Sequence, residues 1–124
     1  MDYTGSVAFS VELVSDDEAR GRLEIGPEML NPFGTVHAGA LIWFADVVAT
    51  TLVVGGRKTS DGMKGFPLAV NLVTQLMSNR KDGVLTATAE YVQRGRRVST
   101  VRTVVAGEDG RALIELTSTH IAAE

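Results

Sequence analysis

Seventeen consecutive residues, Ala38 to Val54, carry a single charged side chain, Asp46. A helix that is apolar on nearly every side is buried on nearly every side. A carboxylate at its middle is costly unless it is paired, hydrogen-bonded or used in chemistry. The rest of the chain must therefore supply a wrapping for this helix and a reason for Asp46. A structural reason is available, since a buried Asp can bond a threonine hydroxyl or a backbone group. A functional one competes with it on equal terms.

The run is too short and too charged to read as a membrane span. Seventeen residues sit at the lower limit for crossing a bilayer. An Asp at the centre costs about 2.5–3.5 kcal/mol on insertion. Aromatic belts and basic flanks are also missing. The better reading is a buried helix in a soluble domain.

Strand patterns surround the helix. Val7, Phe9, Val11 and Leu13 alternate with polar residues over Val7 to Val14. After the polar turn Ser15-Asp16-Asp17-Glu18, Ala19 to Ile25 puts Gly21, Leu23 and Ile25 inward and Arg20, Arg22 and Glu24 outward, completing a hairpin. A short turn over Glu28 to Pro32 and the loop at Phe33-Gly34 lead to a helix beginning near Val36 or His37. Gly55-Gly56 stops it. A polar, mobile loop is expected from Arg57 to Gly65. Strands are then predicted at Leu68 to Met77, Val84 to Val92, Val98 to Ala106 and Arg111 to Ile121. On the first of these, Leu68, Val70, Leu72, Thr74 and Leu76 fall on one face. The order is β-β-α-β-β-β-β: an antiparallel sheet with one helix to cover it. A helix this apolar has more surface than one curled sheet covers, and a second subunit is the natural remainder.

Length fits one domain spanning residues 1–124. The net charge of −3 argues against a nucleic-acid surface. The absence of cysteine removes disulfides and thiolate metal sites, and no His–carboxylate set has ligand spacing, so no metal is expected. The N-terminus lacks the basic and apolar regions of a secretory signal, and a cytoplasmic protein is expected.

Asp46 and Thr50, four residues apart, share a helix face. The helix N-terminus offers unpaired N–H groups and a positive dipole end. Beside it, Ala38 and Gly39 are small enough to admit a carbonyl, which makes an oxyanion hole possible. Eight residues separate Ala38 from Asp46, about 12 Å along a helix. A nucleophile must stand about 3–3.5 Å from the carbon it attacks. One helix cannot supply both groups to one substrate, whereas two roughly antiparallel helices from two subunits can. His37, at a loop–helix junction, reads first as a capping or packing residue. His120, in the last strand, reads as surface or packing. No Gly-x-Ser-x-Gly elbow accompanies a Ser-His-Asp set.

Asn31-Pro-Phe-Gly34-Thr-Val-His37-Ala38-Gly39, followed by Asp46, resembles the hotdog-fold acyl-CoA thioesterases. The nearest branch is the phenylacetate-degradation (PaaI-like) type, which includes 4-hydroxybenzoyl-CoA thioesterases. The resemblance covers nearly the whole chain. It implies an α+β hotdog fold, with a curled antiparallel sheet wrapped around one long central helix. It also implies hydrolysis of an acyl- or aryl-CoA thioester, with no cofactor beyond the coenzyme A of the substrate. The minimal unit would be a homodimer, assembling into a homotetramer. Asp46 would be nucleophile or general base, and Asn31 would orient water or the thioester. The Ala38 N–H would polarise the carbonyl, Gly39 would keep the approach open, and Thr50 would position water. His37 would match the motif histidine. Two departures stand out: Ala38 replaces the motif's first glycine, and Ala69 lacks the hydroxyl many relatives carry nearby. For the coenzyme A phosphates the candidates are Arg94, Arg96 and Arg97 on one turn and Arg80 and Lys81 on another, with Arg57 and Lys58 equally available. Trp43, Phe44, Phe66 and Met63 could line an acyl pocket or belong to the core. The competing functions are a hotdog enoyl or hydroxyacyl thioester hydratase and a non-catalytic acyl-CoA-binding module.

Overall fold

The computed structural model describes residues 2–55 and 67–122. Strands β1 (Ser10–Ser15) and β2 (Glu18–Glu24) form the opening hairpin. A single 3-10 turn, Pro27–Met29, precedes α1 (Ala38–Val54). Strands β3 (Pro67–Leu76), β4 (Val84–Arg94), β5 (Val98–Ala106) and β6 (Ala112–Ala122) follow. All pairings are antiparallel, and the six-stranded sheet has the order β1-β2-β4-β5-β6-β3. This is the hotdog arrangement expected from the sequence.

Three details differ from that expectation, one being that β4 runs on through Arg94, expected in a turn, which pairs with Ser99. The first strand starts at Ser10 rather than Val7, although Val7 and Phe9 still pack on the core. In β3 a bulge between Ala69 and Asn71 resets the register. Directly opposed residues share a sheet face. Leu68 opposes exposed Ile121, while Leu72 opposes buried Ser118 and Thr74 opposes buried Leu116. The expected single apolar face of β3 is therefore split, with Leu68 on the opposite side from Leu72, Thr74 and Leu76. An extra residue inverts the alternation from that point on. The expected loop from Arg57 to Gly65, with Arg57, Lys58 and Met63, and Phe66 beyond it, lies outside the described residues.

The helix packs across β2, β4, β5 and β6. Leu41, Phe44, Val48 and Leu52 meet Leu23, Leu85, Val101, Val105 and Leu116 in one core. Each large side chain buried this way contributes about 1.5–3 kcal/mol. Small residues make the floor beneath: Ala19 opposes Ala89 and Gly21 opposes Ala87. At Gly21 the helix comes so close that a β-carbon would stand 2.5 Å from Val48 Cγ2 and 2.6 Å from Phe44 Cε1. Gly21→Ala should therefore overpack the interface and lower stability by about 1–3 kcal/mol, read from thermal unfolding. An unchanged midpoint would contradict this close approach.

The helix is not covered all round. Trp43 is 51% exposed, and Asp46, Val47, Thr50 and Val54 are half-buried, while Phe44 and Ala45 are fully enclosed. Trp43 meets Phe9 edge-on at 4.8 Å between ring centres. Strand β3 is bare as well, with Leu68, Val70, Leu72, Val73 and Leu76 all exposed.

Candidate active site

The loop before the helix is held by Asn31. Its Oδ1 accepts from the N–H groups of Phe33 (2.9 Å) and Thr35 (3.2 Å), and its Nδ2 donates to Thr35 Oγ1 at 2.9 Å. The backbone adds Asn31 N–H to Thr35 O at 2.8 Å and Gly34 N–H to Asn31 O at 2.9 Å. Gly34, with φ of 84°, turns the chain where an L side chain would be strained. The Asn31 amide is thus engaged in shaping the loop that delivers His37 to the helix start.

His37 is the N-cap, and its Nδ1 accepts the Gly39 N–H at 2.8 Å. The capping reading from the sequence holds. The ring also supplies a reason for Gly39. A β-carbon there would stand 3.0 Å from Nδ1 and 3.1 Å from Cε1. The glycine makes room for the cap. The Ala38 N–H, by contrast, has no acceptor among the described residues. Of the two candidate donors, Ala38 is the one left available. Loss of an N-cap costs about 1 kcal/mol. His37→Ala should therefore lower stability by about that amount, and His37→Asn, a better natural cap, should preserve it. Denaturant midpoints compare the two; equal loss in both would exclude a capping role.

Asp46 lies eight residues further along the helix. Its Oδ1 is buried and has no hydrogen-bond partner among the described residues. Burial pushes its carboxyl above the usual carboxylate range, and His120 partly opposes that shift. Thr50 shares the face, but no hydrogen bond joins it to Asp46; it is the neighbouring Thr51 hydroxyl that bonds backward, to Val47 O at 2.7 Å.

His120 belongs to the same neighbourhood. It is 1% exposed, so the packing half of the sequence reading is the correct one. Its Nε2 lies 2.8 Å from Ser118 Oγ, and its Nδ1 is buried with no partner among the described residues. Burial lowers its pKa and the charge of Asp46 raises it. The sequence offered no signal for this pairing, because 74 positions separate Asp46 from His120 (120 − 46) and only the packing of α1 on β6 joins them.

Two cavities flank the helix among the described residues. One, of about 340 Å³, opens at the helix C-terminus between Leu52, Tyr91, Ser99 and His120, with Arg94, Arg96 and Arg97 at its rim. Arg94 is partly engaged, donating to Asp16 O at 3.2 Å and lying over the Tyr91 ring at 4.9 Å. The other, of about 440 Å³, lies beside the helix N-terminus and is lined by Tyr3, Val7, Met29, Leu30, Asn31, His37 and Ala40. Asp46 lines neither. Arg80 and Lys81 stand apart from the three arginines, in a surface recess with Asp109, to which Arg80 is bonded at 2.9 Å. Arg80 O also accepts from Val36 N–H, which sets this pair near the helix start. The two basic clusters therefore lie toward opposite ends of α1. No three potential metal ligands converge among the described residues.

A family profile described as a domain of unknown function, DUF4442, matches residues 1–120. The chain belongs to that family. The fold is shared with solved hotdog thioesterase structures. A thioesterase from Staphylococcus aureus superposes with a TM-score of 0.84 at 21% identity, covering 94% of this chain and 93% of that one. A hypothetical thioesterase from Streptococcus pneumoniae, solved with coenzyme A, gives 0.79 at 21% identity over 94% and 89%. A Mycobacterium tuberculosis protein provisionally named an esterase gives 0.83 at 22% identity over 94% and 91%. Curated M. tuberculosis proteins of the same provisional name are 31% identical over 81 residues, which is 65% of this chain. The match spans 57% of the length of those relatives. No helix among the described residues is long and apolar enough to cross a membrane.

Proposed function

We propose that this DUF4442 protein is a cytoplasmic acyl-CoA thioesterase, of the PaaI-like type, that hydrolyses an acyl- or aryl-CoA ester to the free acid and coenzyme A. The observation that carries this reading is Asp46: a carboxylate on the less covered side of the helix with a buried oxygen that has no partner among the described residues. The helix start supplies the complementary group, the unpartnered Ala38 N–H. The thioesterase structures with the same fold, one of them with coenzyme A, support the substrate class.

In this mechanism the thioester carbonyl oxygen is held by the Ala38 N–H of one subunit, where negative charge develops. Asp46 of the other subunit takes a proton from water as the water oxygen attacks the carbonyl carbon. Collapse of the tetrahedral intermediate breaks the C–S bond, and the thiolate recovers the proton from Asp46. Direct attack by Asp46, with water then hydrolysing the anhydride, gives the same products. The dimer is the minimal active unit, and two dimers form the tetramer. The bare apolar strand β3 supports such a dimer, because an unpaired, uncharged edge strand is a template for a second strand. Arg96 and Arg97, with Arg94, would meet the phosphates of coenzyme A at the cavity rim.

The test is a screen of short, medium, long and aryl CoA esters with wild type and Asp46→Asn. Release of thiol by wild type and not by the variant supports the proposal. Tight CoA-ester binding without release by wild type would replace it with a binding module. An enoyl-CoA hydration assay run alongside addresses the hydratase reading, which gains from the packing of the Asp46 helix on the strand that carries His120.

A further inference from the structure

His120 has a setting that its position in the last strand does not announce. On the helix-facing side of the sheet it is opposed by Ala69 on β3 and by Ser99 on β5. Ser118, two residues back on the same face, fixes the ring through Nε2 at 2.8 Å. Ser99 bonds with the Gly95 backbone, at 3.4 Å in each direction, and Ala69 has no polar atom beyond its backbone. The second ring nitrogen, Nδ1, is thus buried and without a partner among the described residues, as is Asp46 Oδ1 on the helix packed above. A buried polar atom left without a partner is destabilising. Two such atoms, one on α1 and one on the strand it packs against, are matched by one small molecule able to donate to the carboxylate and accept from the ring.

We propose that His120, held by Ser118, carries its proton on Nδ1 and positions the attacking water against Asp46. This rests on the thioesterase reading above and deepens it, since it assigns Asp46 the role of general base rather than nucleophile. With the proton on Nδ1, Nε2 accepts from the hydroxyl of Ser118 and the Nδ1 N–H is the donor. That N–H takes one lone pair of the water oxygen, Asp46 takes one water proton, and the second lone pair attacks the carbonyl carbon. His120 is neutral throughout, and so changes no proton count. Its donor does the work that a hydroxyl at position 69, directly across the strand pair, could do. The charged groups around the ring are Asp46 from the helix and, across the cavity, Asp16, Arg94, Arg96 and Arg97; β3 and β5 place Ala69 and Ser99 against it, neither of them charged.

The first test needs no turnover. The chain has two histidines, so long-range ¹H–¹⁵N spectra of the full protein resolve both rings. The expected result is a neutral His120 with the proton on Nδ1, titrating below the usual histidine range and lower still in Asp46→Asn. A proton on Nε2, or a titration indifferent to Asp46→Asn, overturns the proposal even if the protein is a thioesterase. The second test is kinetic, on whichever CoA ester the screen finds. An asparagine amide reaches the place of Nδ1, and a glutamine amide that of Nε2. His120→Asn should keep kcat within about tenfold of wild type, whereas His120→Gln and His120→Ala lose about 100-fold with KM little changed. A purely structural histidine predicts the reverse, with Gln rescuing through Ser118. If no CoA ester is cleaved while the spectra come out as expected, the thioesterase reading fails and the Asp46–His120 water site stands.

Discussion

Asp46→Asn is expected to abolish turnover of any CoA ester that the wild type cleaves, by about 10³-fold or more, and to raise the melting temperature. Both effects have one cause. The carboxylate is kept in a partly buried place where its charged form is disfavoured, and one of its oxygens has no partner among the described residues. Asparagine keeps the shape, removes the charge and cannot accept the proton of water. A melting temperature higher by about 3 °C at neutral pH is reasonable for relief of one strained functional group. The sign with pH follows from the direction of the shift. Because the folded protein holds the Asp46 proton more tightly than the unfolded chain, stability from this group is greatest below the ordinary pKa of 3.8. It falls as pH rises through the raised folded value. The variant's advantage should therefore vanish in acid. Activity runs the other way: the base must be ionised, so the acid limb of kcat/KM should lie above the usual carboxylate range. An acid limb at the ordinary aspartate value, or a variant no more stable than wild type at pH 7, would exclude this account.

Placing lysine at Val73 and Leu76 together is the second large effect. Both side chains are exposed in the single chain, at 53% and 59%, so the substitutions should cost the isolated subunit little. In the proposed dimer they sit in the seam, where two charges without partners are expensive. The double variant should sediment as a folded monomer. Turnover should then fall by about 10²–10³-fold, the size of effect seen when an oxyanion donor is removed. The geometry demands this loss, since Ala38 and Asp46 of one helix stand about 12 Å apart and cannot serve the same carbonyl. A monomer with full activity would refute the two-subunit site; a variant that stays dimeric would move the interface away from β3.

The sequence made the helix, its ends and the outward and inward residues of β2 legible, because hydrophobic period and glycine stops are local signals. The strand β5, Val98–Ala106, was readable for the same reason. The bulge at Val70 was not, since it depends on β6 and leaves the residue alternation of β3 unmarked. At the candidate site, Asp46 is marked as a candidate by being a lone charge, and Ala38 by its place at a helix start. The hold of Asn31 on its own loop and the dependence of Gly39 on the His37 ring are matters of a few ångströms that residue types do not encode. His120 was the largest omission. The alternation of Ile114 and Leu116 with Glu115 and Thr117 puts His120 on the buried face of β6, but nothing local says that the helix packed on it carries Asp46.

The sheet order also bears on how the chain can be made. Strand β3 has its neighbour in β6, the last strand of the sequence, although β4 follows it directly. During synthesis the residues Pro67–Leu76 leave the ribosome with nothing to pair with until some forty more have been added. The uncharged segment must wait through that interval as an open strand, and at high expression two nascent chains can meet through it first. Slower elongation across β4 and β5 lengthens that exposure, whereas a lysine near its end shortens the stretch able to mispair. Soluble yield should therefore respond to translation speed in this region more than anywhere else in the chain.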